Sequence, residues 1–254
     1  MENALRQAPL LDCGVLDDLP LRPLTAAGVR RAAQRQKGRG DGLDHWRRDE
    51  LRALPEEAYE GLAVAYALVE EEGAFPDRLR ATLEVLFGKG RGEEPLDQRN
   101  IGLLPRLYRV WAAARQGDVR EWREQSGHTW SWGAGRGRGS GDAAWHSAFA
   151  AEVAKARRRA YGQLLLDCRQ CYELVPLQVA AGAAAAESFP GRLARVALKQ
   201  YAAPRALRHA GALSNWTLCR RGLVAGCGLA GDLLRCTLAK PARAVQEAAP
   251  GATL

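Results

Sequence analysis

The chain has 254 residues, of which 47% are hydrophobic and 26% charged, and this composition is typical of a folded globular protein and excludes a disordered or fibrous one. Lys and Arg number 37 against 29 Asp and Glu, so the formal net charge is +8 and a polyanion such as nucleic acid is the first partner to consider. The sequence lacks the roughly 18 apolar residues of a membrane span and the features of a secretion signal, so we expect an intracellular protein, cytoplasmic or nuclear, that is not secreted and does not use a membrane as partner.

Charge is divided unevenly along the chain. Residues 1–98 hold 14 basic and 19 acidic side chains, whereas residues 99–254 hold 23 basic and 10 acidic ones. Residues 188–221 carry basic side chains and no acidic one. Such a run is typical of a solvated face, and a nucleic-acid contact is the other interpretation. The six cysteines, in a chain without a signal peptide, indicate reduced thiols.

The first part of the chain is predicted to be mainly helical. From residue 47 to 86 apolar side chains recur at three- and four-residue spacing, and Pro55 is placed to start a second helix. After a break at Gly73, residues 77–87 can resume as a helix or form a strand. The Gly, Pro and charged residues of 88–100 predict a loop.

A helix is then predicted over residues 101–124. The glycine-rich residues 126–142 also contain two tryptophans and two arginines and predict a flexible loop, with the stacking of single-stranded bases on the tryptophans as the alternative. Asp142 is placed to cap a helix that runs to Arg159.

The periodicity changes in the last part of the chain. The apolar run that stops at Asp167 is typical of a buried strand that emerges at a sheet edge. Pro176 and Pro190 each begin a predicted helix, and residues 205–220 predict a basic hairpin. A glycine loop at 222–228 precedes a last helix that Pro241 is predicted to end. Helices and strands in this order predict an α+β fold.

Four segments together resemble the reverse transcriptase domain of non-LTR retrotransposons and related retroelements. They are KGRGDGLDHWRRDELRALPEEA at 37–58, DQRNIGLLPRLYRVW at 97–111, LLLDCRQCYELVP at 164–176 and RRGLVAGCGLAGDLL at 220–234. They resemble the family's upstream motif, its fingers motif, its first palm motif and its glycine-rich second palm motif, in the family's order.

The resemblance implies a partial right-hand polymerase, with helical fingers and the start of the palm sheet. No Asp-Asp pair follows Asp167 in the sequence, so we expect the palm to be incomplete and the thumb to be absent, as in a fragment. The implied organisation comprises an N-terminal segment at 1–36, a fingers-like region at 37–125, a Gly/Trp/Arg-rich loop at 126–142, a partial palm at 143–240 and a tail at 241–254.

The resemblance also implies roles for individual residues. Asp167 is the expected catalytic metal ligand, for Mg²⁺ or Mn²⁺, because two divalent ions clamped by carboxylates activate phosphoryl transfer. Tyr172 matches the aromatic residue that lies under the nucleotide sugar and disfavours a 2′-hydroxyl. Arg99 and Lys89 match the fingers bases that neutralise the incoming triphosphate. Gly222 and Gly226 match glycines that let the template and nucleotide approach the backbone.

The implied function is RNA-directed DNA polymerisation in the complete protein, with an RNA template, a DNA primer and dNTPs as partners. Ala225 stands where the family usually has Gln, so a polar contact from that position is lost. The alternatives are a catalytically inactive nucleic-acid-binding remnant and a helical scaffold whose charge follows codon bias. Zinc at Cys168 and Cys171 is disfavoured because no second ligand pair has compatible spacing.

Overall fold

The computed structural model describes residues 20–37, 40–88, 98–127, 139–163 and 170–249. Within them, the chain forms helices and a four-stranded mixed sheet, which confirms the predicted α+β class. The helices are α1 Ala26–Gln34, α2 Arg48–Arg52, α3 Glu56–Glu72, α4 Arg106–Ala114, α5 Gln116–Gln125, α6 Ser140–Ala156, α7 Leu177–Ala186, α8 Gly191–Ala202 and α9 Ala230–Ala248. The strands are β1 Thr82–Gly88, β2 Gln98–Leu103, β3 Arg205–His209 and β4 Ala212–Leu213.

The strands lie in the order β2, β1, β3, β4. β1 pairs antiparallel with β2 and parallel with β3, although β3 comes much later in the chain. β3 and β4 form the predicted hairpin, and its two central residues, Ala210 and Gly211, have φ angles of 46° and 83°. Two consecutive positive φ angles are the geometry of a type I′ turn, which matches the twist of paired strands.

The predicted helical start of the chain is confirmed on either side of Pro55. α3 begins directly after this proline and ends at Gly73, whose φ of 68° is the left-handed conformation of a helix C-cap. The ring of Phe75, which follows the cap, packs edge-on against Tyr66, Tyr108 and Trp111 with centroid separations of 5.5 to 6.2 Å. These buried aromatic side chains join α3 to α4 and form the centre of the hydrophobic core.

A buried ion pair fixes the same two parts of the core. The guanidinium of Arg115 donates from Nε to Glu70 Oε1 at 2.7 Å, and the indole of Trp111 donates to the same oxygen at 2.7 Å. Both members of the pair are almost fully buried. Because a buried charge is tolerated only when it is paired and hydrogen-bonded, this pair fixes the end of α3 against the junction of α4 and α5.

The helix predicted over residues 101–124 is wrong in its first turn, because residues 101–103 complete strand β2. The loop predicted for 88–100 is likewise wrong at Gln98 to Asn100, which belong to the same strand. Pro105 explains the boundary, since proline is accepted at a helix start and disrupts a helix interior. Residues 77–87, for which a helix or a strand is predicted, form a 3₁₀ turn followed by β1.

Two helix boundaries in the later part of the chain also differ from those predicted. α6 begins at Ser140, and Asp142 lies at its third position, where its carboxylate accepts the Gly139 N–H at 2.7 Å. This helix ends at Ala156 and not at Arg159. α9 continues through Pro241 to Ala248, and beyond the proline Arg243 makes a bidentate pair with Glu187.

Candidate nucleic-acid interface

The segment that carries the upstream motif packs against the start of α4. A Cβ added at Gly42 would lie 2.5 Å from the carbonyl oxygen of Leu104, so only glycine fits. Asp44 Oδ2 accepts the N–H of Leu107 at 2.9 Å, which caps a helix whose own N-cap residue, Pro105, has no side-chain acceptor. The segments at 37–58 and 97–111, separate in the sequence, therefore contact each other.

Arg106 strengthens this contact. Its side chain is almost fully buried, and it donates to the Gly40 carbonyl at 3.0 Å and to Asp41 Oδ1 at 2.7 Å. Its Nε also donates to the carbonyl oxygen of Trp46 at 3.1 Å. A buried guanidinium with this number of acceptors fixes the conformation of a loop that has no regular secondary structure of its own.

Arg99 lies on an exposed face of the sheet. It pairs with Phe87 across β1 and β2, and the neighbouring pair on the same face is Val85 with Ile101. Val85 is also aligned with Arg208 of β3. Phe87 is 52% exposed and Ile101 is 38% exposed. The face therefore presents an aromatic ring, a branched apolar side chain and two exposed arginines to solvent, and we call this set of residues, Val85, Phe87, Arg99, Ile101 and Arg208, the basic sheet face.

The opposite face of the sheet holds a buried polar network. Arg205 donates from Nη1 to Glu84 Oε1 at 2.9 Å, and Glu84 Oε2 accepts from Asn100 Nδ2 at 2.8 Å. Nη2 of Arg205 donates to the carbonyl oxygens of Tyr201 and Gly222 at 2.7 and 2.6 Å. One side chain from each of β1, β2 and β3 is thus connected to the glycine loop.

Gly222 and Gly226 of the glycine loop at 222–228 differ in their surroundings. Gly222 has φ of 97°, and a Cβ there would lie 3.2 Å from the Glu173 carbonyl oxygen. Gly226 has φ of 93°, but no atom lies within 4 Å of its Cβ position. Gly222 is therefore required by internal packing and by its conformation, whereas at Gly226 only the conformation requires glycine.

Tyr172 lies beside the same loop. Its carbonyl oxygen accepts the N–H of Leu223 at 2.9 Å, and the N–H of Gly222 donates to Val175 at 2.9 Å. The Tyr172 hydroxyl lies 3.7 Å from the Cβ position of Gly231, in the first turn of α9. Burial raises the pKa of this half-buried phenol, with smaller contributions from Cys171 and Asp232. The phenol therefore stays protonated near neutral pH.

Strand β2 and helix α5 contact the glycine loop directly. A Cβ added at Gly102 of β2 would overlap the Val224 side chain, and Gln116 of α5 donates to the Gly228 carbonyl at 3.1 Å. Arg123 makes a bidentate pair with Asp232 at the start of α9. The structure brings Tyr172, Gly222 and strand β2 to one place, although no single motif specifies that arrangement.

Asp167, Lys89 and Cys168 lie outside the described residues. Of the strand predicted for 161–167, residues 164–167 also lie outside them, and residues 161–163 are exposed and belong to no strand. The roles of Asp167 and Lys89 in metal and triphosphate binding stay predictions. Among the residues that the structure does describe, no group of three or more His, Cys, Asp or Glu side chains could hold a metal ion. Asp232, one of the carboxylates that raise the pKa of Tyr172, is already paired with Arg123 and Arg235.

Sequence reasoning missed Glu84 and Arg205. The signal for Glu84 was its position as the lone charge in the apolar strand TLEVLFG, since a charge in a half-buried strand needs a partner. Nothing in the sequence pointed to Arg205 in particular, because it is one of several bases in the acid-free stretch.

No family model and no curated protein matches this chain. In the described part of the chain, every helix is too short or too polar to cross a membrane.

Proposed function

We propose that this chain is the fingers and part of the palm of an RNA-directed DNA polymerase and that it binds a template and primer. One observation carries the proposal: segments that resemble four motifs of that domain, dispersed over about two hundred residues, are joined by direct contacts. Residues 40–46 pack on α4, β2 contacts Val224, and Tyr172 bonds to Leu223. Contacts between these segments are what a single polymerase domain requires, and they support the proposal.

The basic sheet face gives the proposal its chemistry. Arg99 and Arg208 form no ion pair with any residue in the described ranges, so their guanidinium groups are available to phosphate oxygens. Phe87, directly opposite Arg99, offers an exposed ring on which an unpaired base can stack. We assign this face to the incoming triphosphate and to the unpaired template next to it.

The metal-dependent step is assigned to the complete protein. The described residues do not supply a ligand set for Mg²⁺ or Mn²⁺, and the sequence has no Asp-Asp pair after Asp167. A single carboxylate does not hold two ions. We therefore derive no catalytic step for this chain, and we propose that Asp167 contributes one ligand of a two-metal site for nucleotidyl transfer.

A second candidate is a catalytically inactive nucleic-acid-binding remnant of a retroelement. Two sequence features favour it: Ala225 in place of the usual Gln, and the missing Asp-Asp pair. Under this alternative the basic sheet face binds nucleic acid as before, and no nucleotide is added to a primer.

The test uses a fluorescein-labelled DNA primer annealed to an RNA template with an unpaired 5′ end. We expect Arg99→Gln with Arg208→Gln to weaken binding by about tenfold and to reduce its dependence on salt concentration. The matched control is Arg31→Gln in α1 with Arg35→Gln at its C-cap. It removes the same charge from exposed positions that are distant in sequence from the basic sheet face, and it should have a small effect on binding. Equal loss in both variants would contradict the assignment to the basic sheet face.

Primer extension with dNTPs and Mg²⁺ or Mn²⁺ separates the two candidates. Extension by this chain that disappears in Asp167→Ala would exclude the inactive remnant. Binding with a steep salt dependence and no extension of the primer would favour the inactive remnant. Absence of binding at low salt would contradict both candidates and leave the scaffold interpretation.

A further inference from the structure

The helix α6 stands apart from the core. None of its 17 residues is buried, yet it carries Trp145 and Phe149, which are 61% and 55% exposed. Their rings are stacked, with centroids 5.1 Å apart and an interplanar angle of 5°. Two adjacent exposed rings form a contiguous apolar patch, and such patches on a protein surface mark interaction sites.

The chain that follows α6 turns back along the helix and leaves the aromatic pair uncovered. The Tyr161 hydroxyl donates to the Ser147 carbonyl at 3.3 Å, and Gln163 donates to the Ser147 hydroxyl at 2.5 Å. Ser147 is two positions from both Trp145 and Phe149. In a helix with 3.6 residues per turn, Ser147 therefore lies on the side opposite to both rings. The return segment therefore occupies the face opposite to the aromatic rings.

The C-terminal end of this unit is strongly basic. Lys155, Arg157, Arg158 and Arg159 are all exposed and form no ion pair within the described part of the chain. Phe149 and Arg157 are eight positions apart, or about 12 Å along a helix. An aromatic pair and a cluster of free cations at this separation correspond to the base and phosphate contacts of a few nucleotides.

We infer that α6 and the residues to Arg159 form a second nucleic-acid contact, which binds single-stranded RNA or DNA without sequence preference. Bases stack on the exposed faces of Trp145 and Phe149, and the basic cluster binds the phosphates. This surface lies outside the four motif segments, so the inference does not depend on polymerase activity.

Other occupants fit the surface less well. A helix on an anionic membrane has cations along both borders of a broad apolar face, whereas here the cations follow residue 154 and Glu152 lies on the aromatic face, seven positions after Trp145. A second copy of the chain packed parallel on this helix would bring two basic clusters of the same sign together, which is unfavourable.

The test measures fluorescence anisotropy of a labelled 15-nucleotide oligouridylate with the full chain. We expect Trp145→Ala with Phe149→Ala to weaken binding by about tenfold. The matched control is Val64→Ala with Leu68→Ala on α3, which removes two side chains that are 63% and 56% exposed elsewhere and should leave affinity unchanged. All four substitutions are at exposed sites, so circular dichroism should show an unchanged fold.

The phosphate contacts are tested by the triple variant Arg157→Gln, Arg158→Gln, Arg159→Gln. The slope of log affinity against log salt should decrease by about 2, as expected for three lost contacts to a single strand. A triple variant with the same loss of charge at other exposed arginines, Arg31, Arg35 and Arg120, should change the slope less.

The inference is overturned if the aromatic and control variants bind the oligonucleotide equally. It is also overturned if Trp145→Ala with Phe149→Ala abolishes binding to phosphatidylserine vesicles, or dissociates a dimer in sedimentation, while oligonucleotide affinity is unchanged. In another outcome, the Arg99 and Arg208 variant loses primer–template binding while the α6 variants bind the oligouridylate as tightly as the unchanged chain. That outcome would refute this inference and leave the proposed function standing.

Discussion

Replacing Arg205 with Met tests the network that connects the sheet to the glycine loop. The methionine keeps an aliphatic side chain of similar length and removes the guanidinium. Glu84 then loses its charged partner, and the carbonyl oxygens of Tyr201 and Gly222 lose a donor. Arg205 is 8% exposed, so water does not readily replace these contacts. Breaking a buried ion pair from one side typically costs about 3–5 kcal/mol, and we expect a loss in this range.

The exposed pair of Arg30 with Glu56 provides the control. Arg30 Nη1 lies 3.2 Å from Glu56 Oε2, and the two side chains are 54% and 47% exposed. An exposed pair contributes about 0–1 kcal/mol, so Arg30→Met should have a small effect on the free energy of unfolding. Urea denaturation followed by circular dichroism measures both variants, and an unchanged m-value checks that the unfolded states are comparable. Equal losses for the two variants would refute the reasoning.

Two further predictions concern glycine and pH. Gly42→Ala should destabilise the fold by about 2–3 kcal/mol in urea denaturation, because the new Cβ overlaps the backbone at Leu104. The control is Gly61→Ala in α3, where no atom lies within 4 Å of the new Cβ, and it should stabilise the fold by about 0.5–1 kcal/mol. A larger loss of stability in the control than in Gly42→Ala would contradict the packing argument. Burial raises the pKa of Cys227 and of Tyr108, so above about pH 9 the unfolded chain loses protons that the folded chain retains, and stability falls as pH rises. The melting temperature between pH 8 and 10.5 should therefore decrease less steeply in Cys227→Ala, and an identical slope would contradict this.

The helices were predictable because their physics is local. Apolar residues at three- and four-residue spacing defined α3, and prolines marked the starts of α7 and α8. β2 was missed because its alternation of Arg99, Ile101 and Leu103 runs directly into the helical pattern of α4. The Pro105 between them was the available signal, since proline at that position separates a strand from a helix.

The candidate site was predictable only in part. The motifs indicated Tyr172 and the glycine loop, but their contact depends on hydrogen bonds between residues about fifty positions apart, which no local pattern specifies. For Gly222 the structure adds a requirement that the motif does not indicate, because the Glu173 carbonyl oxygen lies 3.2 Å from its Cβ position. The burial of Arg205 follows from strand pairing and could not be distinguished from exposed arginines nearby.

The parallel pairing of β1 with β3 has a consequence for biosynthesis. Glu84 and Arg205 are separated by 121 positions, so the sheet closes only after most of the chain has been synthesised. Pairings between distant residues fold slowly, because a large loop must be closed before any contact forms. Until then β1 has an unpaired edge with the apolar sequence TLEVLF, and such an edge is a template for aggregation with other chains. Expression should therefore depend strongly on temperature and on chaperones that shield strand edges during synthesis.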